Sequence, residues 1–303
     1  ADFLKENLEF LDRQKLMAQL GTHVMGIDGT DTDLIATHPH LFSNTSVFIS
    51  AEQFQALQAT VAAVTRVAQL SAYIEDTLAK CAYAPTPTAG VFMGYDFHLG
   101  ADGPRVIEIN TNAGGGYLNA MLLGAQSECC QGTFVQSRQQ VEETILAMFF
   151  SEWQLQRKNQ PLGCVVILDA NPRQQYLYLE FVLAQQLFNR QGINAFIADP
   201  SELILRDNQL WLQRHNNEYA VDLIYNRLTD FALHEPANSH IKAAFLQDQV
   251  VLTPNPYHYA LLADKRNLCR FSDAEYLALI GAQAADIDLL QTVIPKTLTV
   301  RAQ

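Results

Sequence analysis

Hydrophobic and polar positions along this chain follow two rhythms. Up to about residue 160 the spacing is helical with one extended interlude; beyond it, strand and helix alternate. Phe54, Leu57, Val61, Val64, Val67, Leu70 and Ile74 recur at helical intervals, which predicts an amphipathic, core-facing helix over 51–80. Ser50 with Gln53 three residues on supplies a capping box, and Pro85 and Pro87 end the helix. A second long helix is predicted over 134–155, with Ile145, Met148 and Phe149 turned inward. Between the two helices, 91–99 and 105–109 read as strands joined through Gly100 to Pro104, with Gly103 taking the positive φ of a three-residue loop.

From Gly163 onward the pattern changes. Cys164-Val165-Val166-Ile167-Leu168 is an unbroken apolar run, as in a strand covered on both faces. Asn171 and Pro172 open a helix carrying Tyr176, Leu179, Val182, Leu183 and Leu187, Gly192 closes it, and 194–197 form the next strand. This is a βαβ unit, so a parallel sheet is expected. An exposed hairpin at Asp207-Asn208, a strand over 222–226 and a break at Pro254-Asn255-Pro256 follow. These boundaries give three regions, 1–160, 161–260 and 261–303.

Composition narrows the functional classes. Acidic residues outnumber basic ones 32 to 20, for a net charge of −12. Such a surface repels nucleic-acid backbones and anionic lipid, so neither partner is expected. Apolar runs such as Ile145 to Phe150 are far shorter than the roughly 20 residues of a membrane span. Five cysteines without a C-x-x-C spacing signal neither zinc nor redox chemistry and fit reduced thiols in a cytoplasmic setting. The chain opens on Ala1 without an initiator methionine, and is expected to be part of a longer polypeptide.

Candidate chemistry concentrates in 94–116. The hairpin register sets Asp96 opposite Glu108, with His98 on the face of Asp96 and Asn110 on the face of Glu108. Phe97, Leu99, Ile107 and Ile109 are then expected on the core side. Facing carboxylates lie with β-carbons ~5 Å apart and repel unless they share a proton or a cation. Two carboxylates and an amide oxygen suit Mg²⁺; the same trio also fits a solvated polar face. Next, Thr111, Asn112, Ala113, Gly114, Gly115 and Gly116 form either a cradle of amide donors for an anion or a flexible turn.

Asp96-Phe97-His98 followed by Glu108-Ile109-Asn110 resembles the metal-binding stretch of glutathionylspermidine synthases, and Ile107 to Thr111 is similar to that of eukaryotic-type glutathione synthetases. Both are circularly permuted ATP-grasp ligases. Ile224 to Asp230 resembles a strand-end segment of that class, Leu262 to Asn267 the point where the chain re-enters the ATP-grasp core, and Val293 to Thr297 the strand before the nucleotide-binding half. The resemblance covers roughly 90–300.

It implies an α/β fold, a permuted ATP-grasp core with an inserted Rossmann-like substrate-binding domain. It also implies ATP and Mg²⁺ as cofactors and a carboxylate and an amine, small-molecule or peptide, as substrates joined through an acyl-phosphate. The residues carried over are Asp96, Glu108 and Asn110 for the metal, Lys265 with Gly114 and Gly115 for the nucleotide phosphates, and Thr111, Asn112 and Arg227 for substrate, with Arg227 acting on the acyl group.

Gly94 departs from the glutathionylspermidine synthases, which carry an Arg there. The family's second Lys-bearing strand, covering loop and further acidic ligand would lie beyond Gln303, so the 303-residue chain is expected to hold only part of the nucleotide site. A nucleotide-binding scaffold without catalysis and a metal-dependent hydrolase are the alternatives. Cys129 and Cys130 read as helix cysteines, Arg173 and Lys242 as surface charges, and Tyr225 and Phe231 as core.

Overall fold

A computed structural model describes residues 49–79, 81, 83–127, 137–214 and 216–300. Cys129, Cys130 and the expected start of the second helix at Phe134 lie outside them. The described residues form two compact units, a hairpin lobe (within 49–113, 229–234 and 254–300) and a sheet lobe (within 114–228 and 235–253). The units divide the chain differently from the three regions read in sequence, because the segment after Gly114 packs with the parallel sheet.

The hairpin lobe begins with α1 (Ala51–Ala68) and α2 (Ser71–Leu78). Ser50 Oγ accepts the Gln53 N–H and the Gln53 side chain accepts the Ser50 N–H, the reciprocal cap that the sequence predicts. The single helix expected over 51–80 is instead broken at Leu70, which turns extended (ψ 131°). Val67, Leu70 and Ile74 stay in phase across the break, so periodicity alone passes over it. Phe54 is half-exposed rather than inward.

β1 (Gly94–Gly100) and β2 (Gly103–Asn110) pair antiparallel, with Gly103 at φ +95°. Helices α7 (Arg266–Phe271), α8 (Ala274–Leu279) and α9 (Ala284–Val293) close the lobe. Val64, Val67, Tyr73, Val106, Ile109, Phe271, Leu290 and Val293 make its core. There Tyr73 stacks on Phe271 at 5.3 Å and donates its hydroxyl to the Leu261 carbonyl at 2.8 Å. Arg66 forks onto Asp286, tying α1 to α9.

In the sheet lobe, α3 (Gly116–Ser127) and α4 (Arg138–Arg157) precede a four-stranded sheet. Its strands are β3 (Cys164–Leu168), β4 (Asn194–Ala198), β8 (Leu223–Asn226) and β9 (Val251–Thr253), in spatial order β4-β3-β8-β9 and all parallel. β3, β8 and β9 are buried along their whole length, as an apolar run without alternation requires. α5 (Tyr178–Arg190) links β3 to β4. It starts later than Asn171-Pro172 implies, because those residues make a short 3₁₀ turn with Asn171 left-handed (φ 46°); Tyr176 is consequently exposed. Phe149 of α4 meets Phe188 and Tyr225 edge-on at 5.1 and 5.0 Å. A separate antiparallel meander, β5 (Leu203–Arg206), β6 (Gln209–Arg214) and β7 (Asn217–Ala220), turns at Asp207 and Asn208, both at positive φ. After β8, α6 (Ser239–Leu246) leads into β9, and the chain leaves the sheet lobe at Pro254.

Candidate functional site

The sequence-predicted site residues fall in both lobes. The hairpin lobe carries Asp96, Glu108, Asn110, Thr111, Asn112 and Lys265; the sheet lobe carries Gly114, Gly115 and Arg227.

In the hairpin, Asp96 pairs with Glu108 and Gly94 with Asn110. The ladder reaches that register by an unexpected route. It closes at Gly100 opposite Gly103, one residue tighter than a three-residue loop implies, and the register then shifts between Asp96 and Phe97, where Val106 and Glu108 oppose neighbouring residues and Ile107 is the extra one. The bulge corrects the expected inner face. Val106 and Ile109 are buried, whereas Ile107 is 45% and Leu99 42% exposed. Asp96, His98, Glu108 and Asn110 occupy the outer face, Asp96 and His98 exposed and Glu108 and Asn110 partly so.

The neighbouring basic residues have divided roles. Arg266 is locked on Asp264, its Nε 2.9 and 3.0 Å from the two carboxylate oxygens, and that guanidinium holds the Asp264 carboxyl below the usual carboxylate range. Lys265 turns to the hairpin instead, its Nζ 3.4 Å from Glu108 Oε2. Among the described residues no basic side chain pairs with Asp96, and no three His, Cys, Asp or Glu side chains gather as a metal cluster. A divalent cation here would therefore rest on Asp96, Glu108 and the Asn110 amide. The donor set fits: all three are hard oxygen ligands on one face, and an ammonium already sits against Glu108 as a stand-in cation. Thr111 is buried and Asn112 partly buried at the end of β2.

In the sheet lobe, the chain passes from β3 outward to β4, then returns to the other side of β3 for β8, so the topological switch point lies outside the carboxyl ends of β3 and β8. Two charged residues sit there. Arg227 is buried, its N–H donating to the Leu168 carbonyl at 2.8 Å and its guanidinium 5.5 Å from the Tyr225 ring centre. Asn226 Oδ1 accepts the Leu228 N–H and so turns the chain away from the sheet. Asp169 directly follows β3; it is buried, and burial pushes its carboxyl up to about 6 despite the nearby Arg227 charge. Asp169 was missed in sequence. The available signal was its place directly after a fully apolar strand, at the end where α/β proteins put ligands.

The glycine turn holds an anion of the chain's own. Glu180, fully buried on α5, accepts the N–H groups of Tyr117 and Leu118 at 3.1 and 3.0 Å, and the Gly115 amide also feeds it. Burial raises its carboxyl and these donors oppose that shift. The first amides of α3 are thus satisfied from within. Gly114 makes a close approach, since a β-carbon there would lie 2.4 Å from Leu177 Cδ1 and 3.1 Å from an Arg227 nitrogen.

No helix among the described residues is long and apolar enough to cross a membrane. No protein-family profile matches the chain, and no curated protein matches it by sequence. Among solved structures it is similar to a glutathione synthetase-like effector, GSS30, from Globodera pallida in its apo form. The TM-score is 0.56 at 16% identity, over 93% of this chain and 71% of that one. The fold is therefore glutathione synthetase-like, a mixed α/β architecture built on a parallel sheet.

Proposed function

We propose that the chain performs ATP-grasp-type ligase chemistry, the ATP- and Mg²⁺-dependent joining of a carboxylate to an amine through an acyl-phosphate. In this reading the core is circularly permuted and the sheet lobe is the substrate-binding domain inserted in it. The observation that carries the proposal is the pairing of Asp96 with Glu108 on the open face of the hairpin, with Asn110 two residues on and Lys265 beside them. Likeness to a glutathione synthetase-like fold supports it.

Asp96, Glu108 and Asn110 would hold Mg²⁺, which when bound supplies neutralisation of the phosphate charge. Lys265 would bind phosphate directly. Arg227, buried at the switch point, would orient the substrate carboxylate and stabilise the oxygens of the acyl-phosphate, with Gly114 leaving room beside it. Thr111 and Asn112 would contact substrate from the end of β2.

Gly94 supports a substrate other than that of the glutathionylspermidine synthases. A β-carbon at Gly94 would lie 2.8 Å from the Ala113 methyl, so the arginine which those enzymes carry there has no place.

Amine-dependent ADP release, measured on the full-length protein, tests the assignment. Asp96→Ala is expected to lower it at least a hundredfold. Release that is unchanged removes the proposed metal role. Nucleotide binding with no release in either protein favours the scaffold reading, and release without added amine favours the hydrolase.

A further inference from the structure

We infer that Lys265 is a built-in competitor for the metal, an ammonium that occupies Glu108 until a divalent cation displaces it and frees it for phosphate. The inference rests on the proposed metal role of Asp96, Glu108 and Asn110, and goes beyond it by giving one side chain two successive partners.

The geometry sets up this exchange. Lys265 Nζ is 3.4 Å from Glu108 Oε2, and the two side chains are 72% and 36% exposed. Such a contact is loose enough to break; exposed pairs of this kind contribute little to stability. Its neighbour Arg266 cannot substitute, being held on both oxygens of Asp264. Lys265 itself is the residue before α7, separated by Asp264 alone from a π-helical turn over Tyr259–Ala263 on which Tyr259 stacks against Phe231 at 4.5 Å. The backbone is thus fixed while the side chain is free to swing. One ammonium cannot also neutralise Asp96, which no basic residue pairs with among those described; a divalent cation serves both carboxylates and wins the exchange.

The consequence is a reversal of sign. Lys265 opposes a bare metal ion but favours a metal–nucleotide complex. Mn²⁺ binding by electron paramagnetic resonance, without nucleotide, reads the first effect, and Mn²⁺-dependent ADP binding by calorimetry reads the second. Lys265→Met is expected to tighten Mn²⁺ binding about three- to fivefold, the order that one exposed charge at contact distance carries, and to weaken Mn²⁺-dependent ADP binding by at least as much. Lys265→Arg should keep Mn²⁺ binding near wild type, and Lys158→Met controls for net charge alone.

Unchanged or weaker Mn²⁺ binding in Lys265→Met overturns the exchange, as does equal tightening in Lys158→Met. Glu108→Gln separates this failure from that of the metal reading. If Glu108→Gln loses Mn²⁺ while Lys265→Met matches wild type, only the exchange fails. If wild type, Lys265→Met and Glu108→Gln all bind Mn²⁺ alike, or not at all, both fail.

Discussion

Carboxylates are handled in opposite ways in the two lobes. In the sheet lobe Glu180 is fully buried, and the backbone supplies its partners, two amides of α3 with Gly115 added. In the hairpin lobe Asp96 and Glu108 face each other at the surface, and a single loosely held lysine rests against Glu108 alone. A buried acid whose donors are all internal has its role within the fold. An exposed acidic pair that the chain leaves incompletely neutralised is where an external cation gains most. Asp169 lies between these extremes, buried at the switch point with Arg227 nearby and its carboxyl raised to about 6.

The sharpest way to break this contrast is Glu180→Ala. It strands buried N–H groups at the start of α3, and urea unfolding should show a loss of about 3 kcal/mol or more. A loss below about 1 kcal/mol would mean that water replaces the carboxylate and that the cap is not structural.

Asp169→Asn should act in the other direction. Because the folded carboxyl titrates near 6 and the ordinary value is 3.8, the folded state holds its proton more tightly, so this residue makes stability fall as pH rises from about 4 to 6. Removing the charge should stabilise the protein by about 1–2 kcal/mol at pH 7.5, after discounting for partial access to water, with the gain fading below pH 4. Thermal unfolding across that range checks it; a gain independent of pH would show that the residue is not titrating there.

The smallest effect is expected at the hairpin. Asp96→Asn relieves one cross-strand repulsion and should raise stability by a few tenths of a kcal/mol, while removing amine-dependent ADP release. A clear destabilisation would place Asp96 with Glu180, as a residue the fold depends on.

Much of the architecture was legible in sequence wherever one local rule decides the outcome. The Ser50 cap, the unbroken strand at 164–168 and the turn at Asp207-Asn208 depend only on neighbours a few residues away, and the structure contains all three. The pairing of Asp96 with Glu108 was also anticipated, though through two offsets that cancel, a tighter turn and a bulge. Strict alternation put Ile107 inside; the spacing of three between Val106 and Ile109 was the visible trace of the bulge. Long-range partners were not legible. Glu180 reaches Tyr117 across 63 positions in the chain, and nothing near the glycines announces that the turn is already filled. Asp169 likewise becomes notable only once the order of the strands is known.

The bulge has one further consequence. Phe97 pairs with Val106 and Asp96 with Glu108, so inward and outward positions on both sides of Ile107 already agree. Excising Ile107 would leave every neighbour on its present face and alter only how sharply the ribbon coils at that point. The chain thus has a single-residue adjustment for the angle of its acidic pair, one that can be changed without disturbing the interior beneath it.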